Sequence, residues 1–247
     1  MSKNLIEVGK VLKIFRYPVK GMRGNSLDKA HLGWYGVEGD REYALTSPKD
    51  VRSGRPWLTG RLVPELIGYE AKYENDHYVK NVEVQVITPD GKSLQLSSNE
   101  LKRNFFKLFG KDVQILKLST GCFDSLAISL ISDSTTRSIG ESVGLALDPR
   151  RFRPNLYIEI TNNEFSSESD WLGRGLFFGN REKVSKIRLL KDNVRCVMVN
   201  IDPDTQEKSA AVLKEVTKYR DSKAGVYGST EQIGEIRVGD SIYLSEN

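Results

Sequence analysis

Short segments with the composition and period of β-strands recur along the whole chain, and this recurrence limits the possible folds more than any other feature. Apolar and polar residues alternate within these segments, and turn residues such as Pro89-Asp90-Gly91-Lys92 separate them. Closely spaced short strands are typical of a β-barrel or β-sandwich and disfavour a doubly wound α/β fold. The predicted strands cover residues 8–17, 41–46, 66–73, 82–88, 93–96, 156–160, 184–190, 196–201 and 236–244.

Helical spacing of apolar residues is limited to a few segments. From Ser98 to Gly110, leucine and phenylalanine residues recur at helical spacing between a capping serine and a terminating glycine. From Ser132 to Gly144, serine and threonine residues begin a second short helix that a glycine again ends. We therefore predict a mainly β fold with a few helices.

The composition excludes several classes of protein. Of the 247 residues, 38% are hydrophobic and 28% are charged, unlike a disordered or collagen-like chain. A net charge of +4 does not by itself indicate a nucleic-acid partner. The two cysteines are too few for a four-cysteine zinc or iron–sulfur site, and the two histidines poorly supply a hydrolytic triad or a multi-histidine metal site.

The sequence also gives an expectation for cellular location. Its first residues contain no basic segment followed by an apolar run, so a secretory signal peptide is not indicated. No window approaches the length of a membrane-spanning helix. We expect a cytoplasmic protein with reduced thiols and no membrane partner.

Three basic residues in the first part of the chain lie next to glycines in turns. Lys20, Arg41 and Arg61 belong to the motifs YPVKG, GDR and TGR. A lysine beside exposed backbone N–H groups suits a phosphate, and arginine binds phosphates and stacks on pterin-like rings. Taken alone, each motif more often marks a solvated lysine or a surface ion pair, so both interpretations stay open.

A further motif, Arg151-Phe152-Arg153-Pro154-Asn155, also combines basic and amide side chains. Because the residue before a proline is held extended, Arg153 is expected to project in a fixed direction. The amide of Asn155 can both donate and accept hydrogen bonds, as recognition of a pterin edge requires.

The pair Arg195-Cys196 provides a candidate metal ligand. An adjacent arginine favours the thiolate, which is the form that binds metals, and soft sulfur suits molybdenum-type centres. The alternative is a buried structural cysteine on an apolar strand, because Val197 and Val199 follow it. Cys122 is interpreted as structural. The segment Asp202-Pro203-Asp204-Thr205 is, taken alone, only a turn.

Taken together and in this order, the motifs resemble the MOSC family (molybdenum cofactor sulfurase C-terminal domains), nearest the branch that contains the amidoxime reducing components. The resemblance implies a MOSC β-barrel domain, assigned to residues 96–247, after a smaller β-rich N-terminal domain, assigned to residues 1–95. It spans residues 14 to 244 and rests on the stretches YPVKG, GDREYAL, TGRLVPEL, FDSLAISLIS, RFRPNLYIE, RCVMVNIDPDT and GEIRVGDSIYL.

The resemblance also implies roles for individual residues. Cys196 corresponds to the protein's ligand to molybdenum and is therefore both a metal ligand and a catalytic residue. Asp202 and Asp204 correspond to an acidic turn near the metal, where they would assist proton delivery. The positions implied to hold the pterin and its phosphate are Lys20, Arg41, Arg61, Ser132, Arg153, Asn155 and Arg195.

The implied activity is reduction of N-hydroxylated small molecules by a molybdenum–pterin or tungsten–pterin cofactor. A separate electron-donor protein is expected, because the chain lacks the cysteines of a ferredoxin-like domain. One alternative is a sulfur-carrier or cofactor-delivery module that works with a pyridoxal-phosphate-dependent cysteine desulfurase. Another is a β-barrel binding protein without the metal. Turnover distinguishes a reductase from a carrier, and cofactor content identifies the metal-free protein.

Overall fold

The computed structural model of the chain describes residues 5–48, 56–74, 78, 82–179 and 185–245, and β-strands supply most of their regular structure. In chain order the strands are β1 (Leu5–Arg16), β2 (Asn25–Leu27), β3 (Lys29–Gly33), β4 (Gly36–Val37), β5 (Tyr43–Thr46), β6 (Trp57–Leu58), β7 (Glu70–Lys72), β8 (Gln85–Ile87), β9 (Ser93–Gln95), β10 (Gln114–Lys117), β11 (Ile128–Ser132), β12 (Leu156–Ile160), β13 (Gly175–Phe178), β14 (Ser185–Val194), β15 (Lys223–Gln232), β16 (Gly234–Arg237) and β17 (Ser241–Ser245).

The described residues also form α-helices and short 3-10 helices, and both helices expected from the sequence are confirmed. Ser98 Oγ accepts a hydrogen bond from the Leu101 amide at the start of one, and Ser132 Oγ caps the other in the same way. Each of these two helices ends at a glycine in the left-handed conformation. The α-helices are α1 (Asn99–Phe109), α2 (Asp133–Val143) and α3 (Ala210–Tyr219), and the 3-10 helices are Pro64–Gly68, Pro149–Phe152, Glu168–Trp171 and Val197–Asn200.

None of the helices in the described ranges has both the length and the apolar character needed to cross a bilayer.

Seven strands close into a barrel, which confirms the predicted mainly β class. They follow the order β12, β11, β15, β14, β13, β17, β1, and β1 then pairs back onto β12. The closing register runs antiparallel from Gly9 opposite Ile160 to Ile14 opposite Leu156. β2 pairs with the C-terminal end of β1, opposite Ile14 to Arg16. The barrel therefore combines the first strand of the chain with strands from its second half.

The interior of the barrel is an apolar core. Its side chains come from alternating positions of the barrel strands, as expected for strands with one face turned inward. Trp171, on a 3-10 helix, is the largest of these buried side chains. The other main members are Val8, Val11, Ile14, Leu130, Ile158, Leu176, Phe178, Ile187, Leu189, Val226, Ile242 and Leu244.

A second core lies among the small sheets formed by residues 19–115. One of these sheets has the order β10, β5, β6, and another has the order β7, β8, β9, with α1 packed nearby. Met22, Leu58 and Phe105 are among the side chains buried there. A third cluster packs α2 and α3 against barrel residues such as Ile131. The assigned boundary between residues 95 and 96 stays a prediction.

The expected strand over residues 196–201 is wrong. β14 ends at Val194, and the chain then forms the 3-10 helix Val197–Asn200. The alternating valines that favoured a strand have unequal surroundings, because Val199 packs into the cluster of α2 and α3 whereas Val197 is exposed. Tertiary packing has overridden the local strand propensity. Residue 184, the first of another expected strand, lies outside the described residues.

Closure of the barrel makes Gly9 a sensitive position. A Cβ atom added there would lie 2.2 Å from the carbonyl oxygen of Glu159 on β12. We expect Gly9→Ala to lower the free energy of unfolding by about 1–3 kcal/mol, because β1 and β12 must move apart to admit the methyl group. Gly33→Ala is the matched control, since its nearest contact would be an ordinary 3.4 Å. Equal denaturant midpoints for the two variants would contradict this account.

Candidate functional site

A cleft of about 420 Å³ opens where the barrel meets the small N-terminal sheets. A volume of this size suits a small-molecule ligand or cofactor. Most of the site residues predicted from the sequence line this cleft: Lys20, Arg41, Arg61, Arg153, Asn155, Arg195 and Cys196.

On the side of the N-terminal sheets, two cations share one carboxylate. Lys20 is buried, and its Nζ donates to the carbonyl of Cys122 at 2.7 Å and lies 3.1 Å from Asp124 Oδ1. Arg61 Nη2 lies 2.7 Å from the other oxygen of Asp124. Burial lowers the pKa of Lys20 to about 8, although Asp124 opposes the shift. A second anion beside Lys20 would therefore stabilise its charge.

The turn that presents Lys20 depends on Gly21. Its φ of +89° lies in the left-handed region, and an added Cβ atom would lie 3.0 to 3.1 Å from atoms of Leu66 and Thr59. The Lys20 amide donates to the carbonyl of Tyr43 at 2.7 Å. Together these contacts fix the loop after β1 against the N-terminal sheets.

Arg41 and Arg153 meet at the ring of Tyr17. Their guanidinium carbons lie 4.7 Å and 4.3 Å from the ring centroid, and Arg41 Nη2 donates to the carbonyl of Arg153 at 2.9 Å. Arg41 also pairs with Asp40, whose carboxylate accepts from the Tyr17 amide at 2.7 Å. Arg153 has no carboxylate partner in the described part of the chain, and burial lowers its pKa to about 10.

The backbone of both arginines is left-handed, with φ of +52° at Arg41 and +50° at Arg153. The expected extended conformation of Arg153 before Pro154 is therefore wrong. Its amide closes the preceding 3-10 turn onto Arg150, and Nη1 donates to the carbonyl of Met22 at 2.8 Å. Tertiary contacts thus outweigh the local preference, and the strain of roughly 1–3 kcal/mol per residue is typical of functional sites.

Asn155 joins strands rather than presenting a free amide. Its Oδ1 accepts from the Ser129 amide at 3.1 Å, and Nδ2 donates to the carbonyl of Phe15 at 3.3 Å. The side chain has no exposed surface. Asn155 therefore ties β1 and β11 to the start of β12 at the wall of the cleft.

Cys196 is exposed, so the alternative of a buried structural cysteine is excluded for it. Next to it, Arg195 donates from Nε to the carbonyl of Ala224 at 2.6 Å and from Nη1 to the carbonyl of Phe152 at 2.7 Å. Arg195 has no carboxylate partner among the described residues, and burial lowers its pKa to about 10. Cys122, by contrast, is buried, and burial raises its pKa to about 11, which fits a structural thiol.

Ser132 does not line the cleft. It is fully buried at the start of α2, where Oγ donates to Glu168 Oε2 at 2.6 Å. Thr135 donates to the same carboxylate oxygen at 2.8 Å. The buried carboxylate of Glu168 therefore occupies the N-terminus of α2, where an anion is favoured.

Asp202 and Asp204 also lie outside the lining of the cleft. Asp202 Oδ2 pairs with Arg151 at 2.6 Å, and its Oδ1 accepts from the amides of Asp204 and Thr205. Asp204 pairs with Arg150 at 2.5 Å. Arg151 does line the cleft, so Asp202 affects the cleft indirectly, by holding this arginine in place.

Sequence reasoning missed several residues of the cleft, among them Arg151 and Asp124. Arg151 belonged to a quoted motif, and its spacing of two residues from Arg153 was a usable signal. Asp124 lay in the quoted stretch FDSLAISLIS, but no local pattern indicated its role, which follows from contacts with Lys20 and Arg61 far away in the chain.

The electrostatic balance of the cleft favours an anionic ligand. Two carboxylates, Asp124 and Asp192, are among its lining residues. The cations in the lining are more numerous: Lys20, Arg41, Arg61, Arg151, Arg153, Lys191 and Arg195. A phosphate among guanidinium groups forms strong charge-assisted hydrogen bonds, and an exposed thiol at the same cleft suits a soft metal.

Comparisons with known proteins agree with this architecture. The chain is 25% identical to mitochondrial amidoxime reducing component 2 of Bos taurus, covering 98% of this chain and 84% of that protein. Identity to the Homo sapiens protein of the same name is 23%, over 98% and 85%. The YUAD protein of Bacillus subtilis has the same fold, with a TM-score of 0.53 and 12% identity over 99% of this chain and all of that one.

Family models account for nearly the whole sequence. The MOSC N-terminal beta barrel domain matches residues 8–126, and the MOSC domain matches residues 117–243. The second match alone covers half of the chain and includes Arg153, Asn155, Arg195 and Cys196. The chain therefore belongs to the MOSC domain family.

Proposed function

We propose that this chain holds a molybdenum–pterin cofactor in the cleft and reduces N-hydroxylated small molecules. One observation carries the proposal: the exposed thiol of Cys196 shares a cleft with many cations, of which Arg153 and Arg195 lack a carboxylate partner in the described ranges. The names of the relatives support the reaction class, since an amidoxime is an N-hydroxylated compound. A separate protein would supply the electrons.

The residues of the cleft fit this cofactor. Lys20, Arg41 and Arg153 would hold its phosphate, and the Cys196 thiolate would be the protein's ligand to the metal. When bound, the cofactor supplies two-electron redox and Lewis-acid chemistry. The same donor set serves molybdenum or tungsten, and elemental analysis distinguishes the two.

The protein's own contribution is positioning and electrostatics. Backbone carbonyls of Ala224 and Phe152 hold Arg195 beside Cys196, so positive charge stays close to the thiolate. Asp202 fixes Arg151 in the wall of the cleft. We therefore assign Asp202 a positioning role in place of the proton delivery implied by the resemblance. For Asp204, which pairs with Arg150, we also propose an indirect role.

The decisive experiment combines cofactor content with turnover. The protein is purified from a host that makes the cofactor, and its metal is measured by mass spectrometry and its pterin by fluorescence after oxidation. Reduction of benzamidoxime is then tested with an artificial electron donor. Metal and pterin with turnover support the proposal. Metal and pterin without turnover would favour the carrier that works with a cysteine desulfurase, and absence of both would favour a metal-free binding protein.

We expect Cys196→Ala to abolish benzamidoxime reduction, because the variant lacks the soft ligand to the metal. Since the residue is exposed, the free energy of unfolding should change by less than about 0.5 kcal/mol. Cys122→Ala is the matched control, as it removes a thiol that does not line the cleft and should retain metal and activity. Full activity in Cys196→Ala would refute the ligand assignment.

Lys20→Met should weaken cofactor binding about tenfold, because one charge-assisted hydrogen bond to the phosphate is lost. Asp124 keeps Arg61 as an ion-pair partner in this variant, so the loop retains a contact. Pterin content per mole of protein after gel filtration measures the effect. Lys102→Met, on the exposed face of α1, should leave pterin content unchanged, and a loss of equal size there would count against a specific site.

Phosphate binding to the cofactor-free protein should weaken as pH rises through about 8. A lysine loses its positive charge above its pKa, and burial lowers the pKa of Lys20 to about 8. Between pH 7.5 and 9.5 phosphate stays largely dianionic, so the charge of the ligand changes little while Lys20 loses its own. We expect about tenfold weaker binding at pH 9.5 by calorimetry. The same pH dependence in Lys20→Met would show that another group is responsible.

A further inference from the structure

A small crevice lies behind the wall of the cleft. Arg151 and Arg153 line both spaces, and Tyr17, Arg23 and Arg150 complete the polar part of the crevice. Ile67 and Met198 are among its apolar walls. Its volume of about 10 Å³ is enough for one atom of the size of a water oxygen or a small monatomic ion.

The polar residues of the crevice carry hydrogen-bond donors that the described part of the protein leaves unused. Tyr17 Oη, Arg23 Nε, Arg151 Nε and Arg153 Nη2 are buried and have no hydrogen-bond partner there. Tyr17 is only 2% exposed. Other donors of two of these arginines are engaged, since Arg151 Nη2 pairs with Asp202 and Arg153 Nη1 donates to Met22. Buried donors without partners are rare in proteins, so these four indicate a ligand.

The charges around the crevice are not balanced. Asp202 pairs with Arg151, and Asp204 pairs with Arg150 and lies 3.7 Å from Arg23. Arg153 has no carboxylate partner among the described residues, and burial lowers its pKa to about 10 although Tyr17, Asp40 and Asp124 oppose the shift. One half-buried positive charge therefore remains without an anion at the boundary of the crevice.

We propose that this crevice binds a single halide ion, chloride under ordinary conditions, through Tyr17, Arg23, Arg151 and Arg153. A water molecule accepts at most two hydrogen bonds, so it cannot satisfy the three guanidinium N–H donors, and it carries no charge. A halide accepts from all four donors and balances the charge of Arg153. Phosphate and sulfate exceed the volume. The crevice shares Arg151 and Arg153 with the cleft of the proposed function, but halide binding is measured on the apoprotein, so failure of one proposal is distinguishable from failure of the other.

The first test is thermal unfolding of the apoprotein in sodium chloride and in sodium gluconate at equal ionic strength. A ligand that binds only the folded protein raises the melting temperature with the logarithm of its concentration. From 1 to 100 mM chloride we expect a rise of about 5 °C that gluconate does not produce. Crystals soaked in bromide should give an anomalous peak in the crevice.

Tyr17→Phe is the most specific variant for this test, because it removes one hydrogen-bond donor and keeps the ring on which Arg41 and Arg153 stack. We expect its chloride response to shift to about tenfold higher concentration. If Tyr17 Oη had no ligand, the phenylalanine variant would be as stable as the wild type or more stable in both salts. Arg23→Met, at a partly exposed position, should weaken the response in the same direction.

Tyr73→Phe is the matched control. Tyr73 is a buried tyrosine whose hydroxyl donates to Glu42 Oε2 at 2.9 Å and lies 3.2 Å from the carbonyl oxygen of Gly39, away from the crevice. Tyr73→Phe should lower the melting temperature equally in both salts and leave its dependence on chloride concentration unchanged. Equal melting temperatures in chloride and gluconate, or an unaltered chloride response in Tyr17→Phe, would overturn the proposal. So would a crevice without bromide signal in crystals of the wild-type protein.

Discussion

Closure of the barrel between β1 and β12 is the constraint on which the site depends. It places the end of β1, with Tyr17 and Lys20 just beyond it, beside the segment that leads into β12, with Arg153 and Asn155. Asn155 reinforces the junction through backbone groups of Phe15 and Ser129. Residues more than a hundred positions apart thereby line one cleft, as the hydrogen bond from Arg41 to Arg153 illustrates.

The closed barrel also supplies the groups that stabilise the positive charge of the cleft. Placing buried arginines close together is unfavourable, and here the folded scaffold supplies compensation from neutral groups. Arg195 is held by two carbonyls and Arg153 stacks on Tyr17, whereas Arg41, which also stacks there, pairs with Asp40. Carbonyls and an aromatic face stabilise a cation without cancelling its charge, so the positive potential remains available for an anion. A carboxylate at each arginine would have neutralised the cleft.

The sequence was informative where local interactions decide the structure. Strand β12 and helix α2 follow from alternation and capping, and the basic residues near glycines and proline lie in the cleft as expected. It failed where distant contacts decide. Val199 leaves the predicted strand because it packs beside α2 and α3, and Arg153 is left-handed because Arg150 and Met22 hold it. Ser132 was correctly predicted to begin α2, but its hydroxyl donates a hydrogen bond to Glu168 from another part of the chain.

Arg151 and Arg153 form a wall shared by the cleft and the crevice, and this position explains how the acidic turn is used. A guanidinium group that presents donors to two different spaces needs a further hydrogen-bond partner to hold it in place. Without that partner, a ligand in one space would draw the group away from the other. Asp202 and the carbonyl of Asn200 hold Arg151, and the carbonyl of Met22 holds Arg153. We therefore propose that the aspartate turn supports the site, because its carboxylates already have arginine partners and lie outside the cleft lining.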